Sequence, residues 1–270
     1  MDLGPTVQQL FDMTGHVAVV TGGARDLGMD EASALVDLGA QVIVTSRDEA
    51  SAVKAAETLS ARGKAPVTGM ALDVADPEAV KRVFGAVGDK FGKLDVLVNN
   101  AGGAPRTEKV SLFERRLEDW EYVIRVNLTG AFLCTQAAAN MMKVRRSGSI
   151  INISSIAGIV GRDYRIYEGL DMRPNIPDYA ASKAGILGLT RDAAGALGPY
   201  GIRVNAILPG GFERSQPKEF IRRYSDKTPL GRMGRDRYDI KGAVALLASP
   251  AGAYISGVSL PVDGGFSIYK

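Results

Sequence analysis

The sequence predicts a single α/β domain of the Rossmann type, in which a doubly wound parallel sheet is flanked by helices on both faces. Short apolar runs rich in β-branched residues alternate along the chain with longer amphipathic stretches. Fully apolar strands are typical of a parallel sheet that is covered on both faces. The 270 residues also contain no linker, repeat or low-complexity tract, so one domain spanning 1–270 accounts for the whole chain.

The predicted elements follow one another in a regular order. Strands are expected at 17–21, 42–45, 67–72, 96–98, 150–153, 204–208 and 260–262. Helices are expected at 27–38, 49–61, 77–91, 117–142, 179–197 and 240–247. In a doubly wound sheet, ligands bind beyond the carboxyl ends of the strands, so the turns that follow the strands are where functional residues are expected.

The composition excludes several classes of function. A net charge of +3 without a Lys/Arg-rich run argues against a nucleic-acid partner. The single Cys134 excludes an internal disulfide and a Cys-rich zinc site, and no metal is expected. Because His16 is the only histidine, proton transfer is left to tyrosine, lysine or a carboxylate. No signal peptide or membrane-spanning stretch is visible, so a cytoplasmic enzyme is expected.

A glycine-rich turn lies between the first predicted strand and the first predicted helix. It reads Thr-Gly-Gly-Ala-Arg-Asp-Leu-Gly over residues 21–28. Glycines there let the backbone approach a pyrophosphate, whose charge sits against the N–H groups at the helix N-terminus. The turn residues expected to meet a dinucleotide are Gly22, Arg25, Asp26, Leu27 and Gly28.

The end of the second strand bears on the choice of cofactor. An NAD site places an acid there to accept hydrogen bonds from the ribose 2′-hydroxyl, whereas this chain has Ser46 and Arg47. Arg47, with Arg25 from the glycine-rich turn, can instead pair with the 2′-phosphate of NADP. The sequence therefore predicts a preference for NADP(H) and leaves use of NAD(H) open. The alternative for Arg47 is a solvated surface arginine.

Tyr179 and Lys183 lie four positions apart in a predicted helix, so their side chains share one face. Of the 9 tyrosines, only Tyr179 has a lysine at this spacing. A neighbouring ammonium stabilises the phenolate, and lowering the phenol pKa from about 10 to about 7 requires roughly 4 kcal/mol. Together with a cationic nicotinamide, Lys183 is expected to make Tyr179 an acid/base near neutral pH. A chance helical pair is the alternative.

These features, taken in order, resemble the short-chain dehydrogenase/reductase family over nearly the whole chain. Besides the glycine-rich turn and the Tyr179/Lys183 pair, the matching residues are Asp73-Val74, Asn99-Asn100-Ala101-Gly102, Asn127, Ser155, Pro209-Gly210 and Val262-Asp263-Gly264-Gly265. Several motifs in the family's order are far more specific than any one of them.

The resemblance implies a role for each position. Tyr179 would be the general acid/base, and Lys183 would tune it and hold the nicotinamide ribose. Ser155 would bond the substrate oxygen, and Asn127 would position a water in a proton relay. The further cofactor contacts would come from Asp73, Val74, Asn100, Ala101, Gly102, Pro209, Gly210 and Phe212. The resemblance also implies a homotetramer.

The chain departs from the family pattern at three places. Asp26 stands where the family has the middle glycine of the phosphate turn, and Gly211-Phe212-Glu213-Arg214 stands where a threonine or serine often follows Pro209-Gly210. The segment between Ser155 and Tyr179 is about eleven residues longer than usual, with an insert near 161–175. We expect Arg162, Arg165 or Arg173 of this insert to contact the substrate, with a subunit contact as the alternative.

The predicted function is an NAD(P)-dependent oxidoreductase that moves a hydride between the nicotinamide and a carbonyl or secondary alcohol. Similar family members act on sugar acids, so a sugar, sugar acid or similar polar molecule is the expected substrate. Two alternatives stay open: reduction of a 3-oxoacyl thioester, and a catalytically silent dinucleotide-binding sensor. The four intact catalytic positions argue against the sensor.

Overall fold

The computed structural model describes residues 3–63, 65–103, 111–172 and 177–269. Its core is a seven-stranded sheet in which every neighbouring pair of strands is parallel. The strands are β1 Val17–Thr21, β2 Gln41–Ser46, β3 Thr68–Ala71, β4 Val96–Asn99, β5 Gly148–Ile153, β6 Ile202–Pro209 and, near the C-terminus, β9 Ser259–Val262. All seven predicted strands are present, in the spatial order β3-β2-β1-β4-β5-β6-β9. The prediction of a doubly wound parallel sheet is thus confirmed.

Helices cover both faces of this sheet. The long helices are α2 Asp26–Asp37, α3 Glu49–Ser60, α4 Pro77–Phe91, α6 Gly130–Arg145 and α7 Pro177–Leu197, and the shorter ones are α1 Val7–Phe11, α5 Leu117–Ile124, α8 Lys218–Ser225 and α9 Lys241–Ala248. Apolar residues of α2, α3 and α9 share one hydrophobic cluster with the sheet, whereas those of α4, α6 and α7 share another. The sheet is therefore buried on both faces, which explains why its strands lack polar alternation.

The helix predicted over 117–142 changes its hydrogen-bonding pattern partway along. It consists of α5 and α6 with a π-helical turn, Arg125–Thr129, between them. Single π-helical turns inside α-helices are frequent at functional sites, and this one contains Asn127. Hydrophobic periodicity does not detect such a turn because the apolar spacing continues through it, so the helical region was predicted and the π-helical turn within it was not.

The remaining elements lie outside the central sheet. A two-stranded parallel sheet pairs β7 Phe212–Glu213 with β8 Gly234–Arg235, and α8 lies between them. Helix α1 begins with a capping box in which Thr6 and Gln9 bond reciprocally, a Thr-x-x-Gln pattern readable from sequence. No helix in the described part of the chain is both long and apolar enough to cross a membrane. Cys134 is buried, and burial raises the pKa of its thiol to about 12.

Candidate functional site

The glycine-rich turn joins β1 to α2 and is packed too closely for side chains at its glycines. Gly22 has a φ of 65°, and a Cβ on it would lie 2.9 Å from the Cα of Ala101. A Cβ on Gly28 would lie 2.3 Å from the Gly22 carbonyl oxygen. Helix α2 also has no side-chain cap, whereas α3 and α4 are capped by Asp48 and Asp76. The N–H groups of its first turn are therefore free to receive an anion, which fits a dinucleotide pyrophosphate.

Asn100 holds this turn against the end of β4. Its side-chain nitrogen donates to the carbonyl oxygens of Thr21 and Gly22, both at 3.0 Å. The Thr21 hydroxyl in turn accepts from the backbone N–H groups of Asn100 and Ala101, at 3.1 and 3.0 Å. The carboxyl ends of β1 and β4 are thereby tied together, and the Asn100 side-chain nitrogen is already used by the turn.

The residues expected to select the cofactor lie at the exposed rim of the sheet. Ser46 ends β2, and the exposed Arg47 donates from Nη1 to the Tyr122 hydroxyl at 2.9 Å. The side chain of Arg25 is 71% exposed. Asp73, also exposed, follows β3 and accepts from the backbone N–H of Ala75 at 2.9 Å.

Ser155, Tyr179 and Lys183 meet at the carboxyl end of β5. A side-chain hydrogen bond joins Ser155 to the Tyr179 hydroxyl. Lys183 Nζ lies 5.7 Å from the centre of the Tyr179 ring and donates to the Ile153 carbonyl oxygen at 2.7 Å. Ser154 instead is buried and donates to the Lys183 carbonyl oxygen at 2.7 Å. The structure thus brings together the three residues expected to act on the substrate, and it gives Ser154 a structural contact.

Asn127 joins this group from the π-helical turn. Its side-chain nitrogen donates to the Ser182 hydroxyl at 3.0 Å, and its oxygen accepts from the Gly103 N–H at 2.9 Å. A Cβ on Gly102 would lie 2.9 Å from the Asn127 oxygen and 3.6 Å from Lys183 Nζ. Asn127 and Lys183 therefore converge beside Gly102, which must lack a side chain.

The electrostatics of Tyr179 differ from the expectation. Desolvation raises the pKa of its phenol, and the charge of Lys183 is not among the effects that oppose it. The opposing effects, which lower the pKa, are the hydrogen bond with Ser155 and the positive charge of Arg162. Burial also lowers the pKa of Lys183 to about 8, partly countered by Glu31. In the chain without cofactor, desolvation of the phenol is the largest effect, and the lowering expected from Lys183 together with a cationic nicotinamide stays a prediction.

A buried ion pair supports the helix that carries Tyr179. The Asp178 carboxylate is fully buried and accepts from Arg115 Nε at 2.8 Å and from the Tyr179 backbone N–H at 2.7 Å. The Arg115 side chain is 5% exposed. Sequence reasoning missed this pair. An aspartate in the first turn of a helix was a usable signal, but nothing in the sequence linked it to an arginine 63 residues away.

The expected nicotinamide residues follow β6. Pro209 ends this strand, and the Gly210 N–H donates to the Val262 carbonyl oxygen at 3.0 Å. The Phe212 side chain is 5% exposed and belongs to the hydrophobic core, and a Cβ on Gly234 would touch its ring at 3.0 Å. Its ring is therefore committed to packing, and its backbone is the part that remains for a ligand.

The long insert lines a cavity of about 950 Å³. The cavity walls are residues 161–165 of the insert, residues 226–229, Phe266 and Tyr269. The Arg165 guanidinium is bound by Asp163, with Nε to Oδ1 at 2.8 Å, and Lys227 also pairs with Asp163. Arg162 instead donates to the Tyr167 hydroxyl at 3.0 Å. Arg173, the third arginine expected to contact substrate, lies outside the described residues.

Comparisons with known proteins agree with this architecture. Residues 22–267 match the family model described as enoyl-(acyl carrier protein) reductase. The chain is 37% identical over 259 residues to the 3-oxoacyl-(acyl-carrier-protein) reductase FabG of Vibrio cholerae, covering 94% of this chain and 98% of that protein. Two solved structures are similar to it with a TM-score of 0.87. A gluconate 5-dehydrogenase from Burkholderia cenocepacia, in complex with NADP and tartrate, is 31% identical, with 97% of this chain and 99% of that chain covered. A short-chain type dehydrogenase/reductase from Mycobacterium marinum is 30% identical, with the same coverage.

Proposed function

The chain belongs to the short-chain dehydrogenase/reductase family and is an NAD(P)-dependent oxidoreductase acting on C=O or CH–OH groups. We propose that it prefers NADP(H) and acts on a sugar acid or a similarly polar substrate. One observation carries the choice of substrate. Arg162 lines the cavity of the insert and lies close enough to Tyr179 for its charge to lower the phenol pKa. A cation in this position suits a substrate with a carboxylate or several hydroxyls near the reacting carbon.

In this proposal the four converging side chains act on the substrate oxygen and its proton. Tyr179 donates a proton to the carbonyl oxygen during reduction and accepts one during oxidation. Ser155, already hydrogen-bonded to Tyr179, binds the same oxygen and orients it. Lys183 holds the ribose and, with Asn127, provides the polar path by which Tyr179 regains its proton. The nicotinamide, when bound, supplies or accepts the hydride.

The cofactor is held along the carboxyl edge of the sheet. The uncapped first turn of α2 receives the pyrophosphate, and Arg47 with Arg25 pairs with the 2′-phosphate. The remaining contacts are assigned to Gly22, Asp26, Leu27, Gly28, Ser46, Asp73, Val74, Asn100, Ala101, Gly102, Pro209, Gly210 and Phe212. The Burkholderia structure is described as a complex with NADP, which supports a dinucleotide at this edge of the sheet.

The second candidate is reduction of a 3-oxoacyl thioester. It is favoured by the 37% identity to the Vibrio cholerae reductase, whose name states that activity. The cavity bears on the choice because its wall combines the apolar Pro229 and Phe266 with the ionic Arg162, Asp163 and Arg165, and ionic side chains in the wall favour a polar substrate over an acyl chain. We therefore place the polar substrate first.

Turnover of a carbonyl panel decides between the candidates. Oxidation of NADPH is followed with ketogluconates, neutral ketoses and a 3-oxoacyl thioester, and the Tyr179→Phe variant serves as the matched control for background oxidation. We expect the highest kcat/KM with a keto acid of the sugar series. A higher kcat/KM with the thioester would reverse the assignment, and wild-type rates equal to those of Tyr179→Phe on every compound would contradict both candidates.

A further inference from the structure

Two departures from the family pattern lie beside each other in space. Asp26, in the phosphate turn, is the first residue of α2 and has a φ of 52°. This left-handed conformation is one that glycine adopts without strain. Arg214, in the segment that follows Pro209-Gly210, places its Nε 3.7 Å from the Asp26 carboxylate. Residues that the sequence separates by nearly 190 positions thus form one charged pair at the helix N-terminus.

Arg214 is also bonded to residues near it in the segment that follows β6. Its Nε donates to Asp236 Oδ1 at 2.8 Å, and its backbone N–H donates to the Gln216 side chain at 2.7 Å. The preceding strand β7 is paired with β8, which directly precedes Asp236. Arg214 is therefore presented by a small sheet and not by a free loop.

A second acid of α2 fixes this small sheet to the helix. Asp30, one helical turn after Asp26, is 4% exposed and accepts from the Arg237 backbone N–H at 3.0 Å. Arg237 itself has a φ of 63°. Among the described non-glycine residues, positive φ occurs at three positions, and two of them, Asp26 and Arg237, lie at this junction. Such strain persists where surrounding contacts enforce it, and it concentrates at functional sites.

The location of the pair explains what a carboxylate can do in a phosphate turn. The first turn of α2 is where a pyrophosphate is expected, and an isolated carboxylate there would repel it. Arg214 and Arg25, at 3.7 and 3.9 Å, both offset the charge of that carboxylate, and the Arg214 guanidinium lies beside the same turn. We propose that Arg214 is a cofactor-binding residue that pairs with the pyrophosphate, and that Asp26 and Asp236 position its guanidinium. This inference rests on the dinucleotide site of the proposed function.

Dissociation constants measured by fluorescence titration test it directly. Arg214→Gln is expected to weaken NADPH and NADH by the same factor of about 10, or about 1.4 kcal/mol, because both carry the pyrophosphate. Binding of 2′-AMP, which has the adenosine and the 2′-phosphate but no pyrophosphate, should stay unchanged. Arg222→Gln is the matched control, since Arg222 lies on α8 of the same segment, with its side chain 61% exposed and paired with Glu219 and Asp226.

A second variant separates a cofactor contact from a structural one. Without Arg214, Asp26 keeps only the pairing with the more exposed Arg25, whose Nε lies 3.9 Å from Asp26 Oδ2, so Asp26→Asn in the Arg214→Gln background should recover affinity about threefold. Asparagine tolerates the left-handed conformation, so the recovery measures charge and not strain. The inference is overturned if Arg214→Gln leaves both dinucleotide constants unchanged, weakens 2′-AMP equally, or shows no recovery in the double variant. Failure of the wild type to bind either dinucleotide would instead overturn the proposed function.

Discussion

At the scale of single residues, Tyr179 is in an unusual position for a proton carrier. Desolvation alone raises the pKa of its phenol, and Ser155 and Arg162 oppose that change. Lys183 is itself desolvated, with its pKa lowered to about 8. The chain alone therefore does not make Tyr179 acidic. On the proposed function, we expect the substrate and cofactor groups bound next to Ser155 and Lys183 to contribute to the proton transfer.

Removal of the phenol oxygen is the simplest test of this role. Tyr179→Phe should lower kcat to below about a tenth of the wild-type value, since general acid–base catalysis contributes at least that much, while the Kd of NADPH stays nearly constant. Steady-state rates and fluorescence titration give the two quantities. The assignment fails if the variant retains more than that fraction of kcat.

Arg47 is expected to discriminate between the two dinucleotides. Because its guanidinium is exposed and donates to a neutral partner, the Tyr122 hydroxyl, it is available to a 2′-phosphate. Arg47→Ala should weaken NADPH by about tenfold or more and leave NADH nearly unchanged. Titration of both cofactors measures this. Equal losses would contradict a 2′-phosphate contact, whereas a loss confined to NADPH would also distinguish Arg47 from Arg214, for which equal losses are expected.

At the scale of elements, helix α2 contains a fully buried acidic residue, Glu31. Glu31 is 0% exposed, and neither of its carboxylate oxygens has a hydrogen-bond partner among the residues that the structure describes. Desolvation first, and the neighbouring Asp30 second, raise the pKa of this carboxyl well above its ordinary value of 4.5. A buried acid of this kind favours its neutral form and makes the stability of the helix depend on pH.

The sign of that dependence follows from the direction of the shift. The pKa of Glu31 is raised in the folded state. Its contribution to the free energy of unfolding is therefore fully present below the pKa of the unfolded chain and is lost as the pH rises through the folded-state pKa. Each unit of the raised pKa costs about 1.4 kcal/mol once the group ionises. Glu31→Gln should therefore flatten the fall in the free energy of unfolding above pH about 4.5, as measured by urea titrations at several pH values. Glu57→Gln, on the exposed face of α3, is the control and should leave the slope unchanged.

The Arg115–Asp178 pair couples the start of α5 to the start of α7. Breaking a buried pair leaves one uncompensated charge and typically costs about 3–5 kcal/mol. Arg115→Met should therefore lower the free energy of unfolding by roughly that amount. It should also reduce kcat more than it changes the Kd of NADPH, because Asp178 binds the Tyr179 N–H.

A double variant tests whether the two residues act as a unit. Arg115→Met with Asp178→Asn should be more stable than Arg115→Met alone, since the unpaired charge is removed. Urea unfolding of the two single variants and the double variant completes the cycle. Additive losses would mean that Arg115 and Asp178 stabilise the protein independently.

At the scale of the whole molecule, the sequence was most informative where structure is local. Pro77–Phe91 was predicted to the residue because a capping aspartate, a proline and an apolar stripe mark it, and the strands of the sheet were found because each is a short apolar run. The π-helical turn at Asn127 and the Asp26–Arg214 pair were not found. Both depend on contacts between distant parts of the chain, and the hydrophobic periodicity of the sequence reports only local structure.

In the candidate site, too, local sequence features could be predicted, whereas properties of the folded chain could not. Ser155, Tyr179 and Lys183 could be predicted together because parallel strands bring their carboxyl ends to one edge, and a helix spacing of four aligns the last two. The pKa of Tyr179 could not be predicted, because burial and the approach of Arg162 are properties of the folded chain. Whether four such chains associate is a further question at this scale, and the resemblance leads us to propose a homotetramer.

The insert near 161–175 carries the prediction that most concerns the molecule as a whole. Of its three arginines, Arg165 is already bound by Asp163, whereas Arg162 lines the cavity and acts on Tyr179. Arg162→Met should therefore raise the substrate KM about tenfold, equivalent to about 1.4 kcal/mol, with little effect on the Kd of NADPH. Arg165→Met is the comparison variant: Arg165 also lines the cavity, but it is 77% exposed and already bound by Asp163, so its loss should raise the KM less.

Replacement of the insert by a loop of the usual family length separates substrate recognition from assembly. If the insert forms part of the substrate pocket, the shortened enzyme should show a KM raised at least as much as that of Arg162→Met, while light scattering reports an unchanged mass. If it is instead a subunit contact, the mass should fall and the KM should stay at its wild-type value. Since Arg162 is the residue that links the cavity to Tyr179, we expect the first result. A lower mass with an unchanged KM, and an Arg162→Met variant that behaves like Arg165→Met, would contradict the role of the insert in binding substrate.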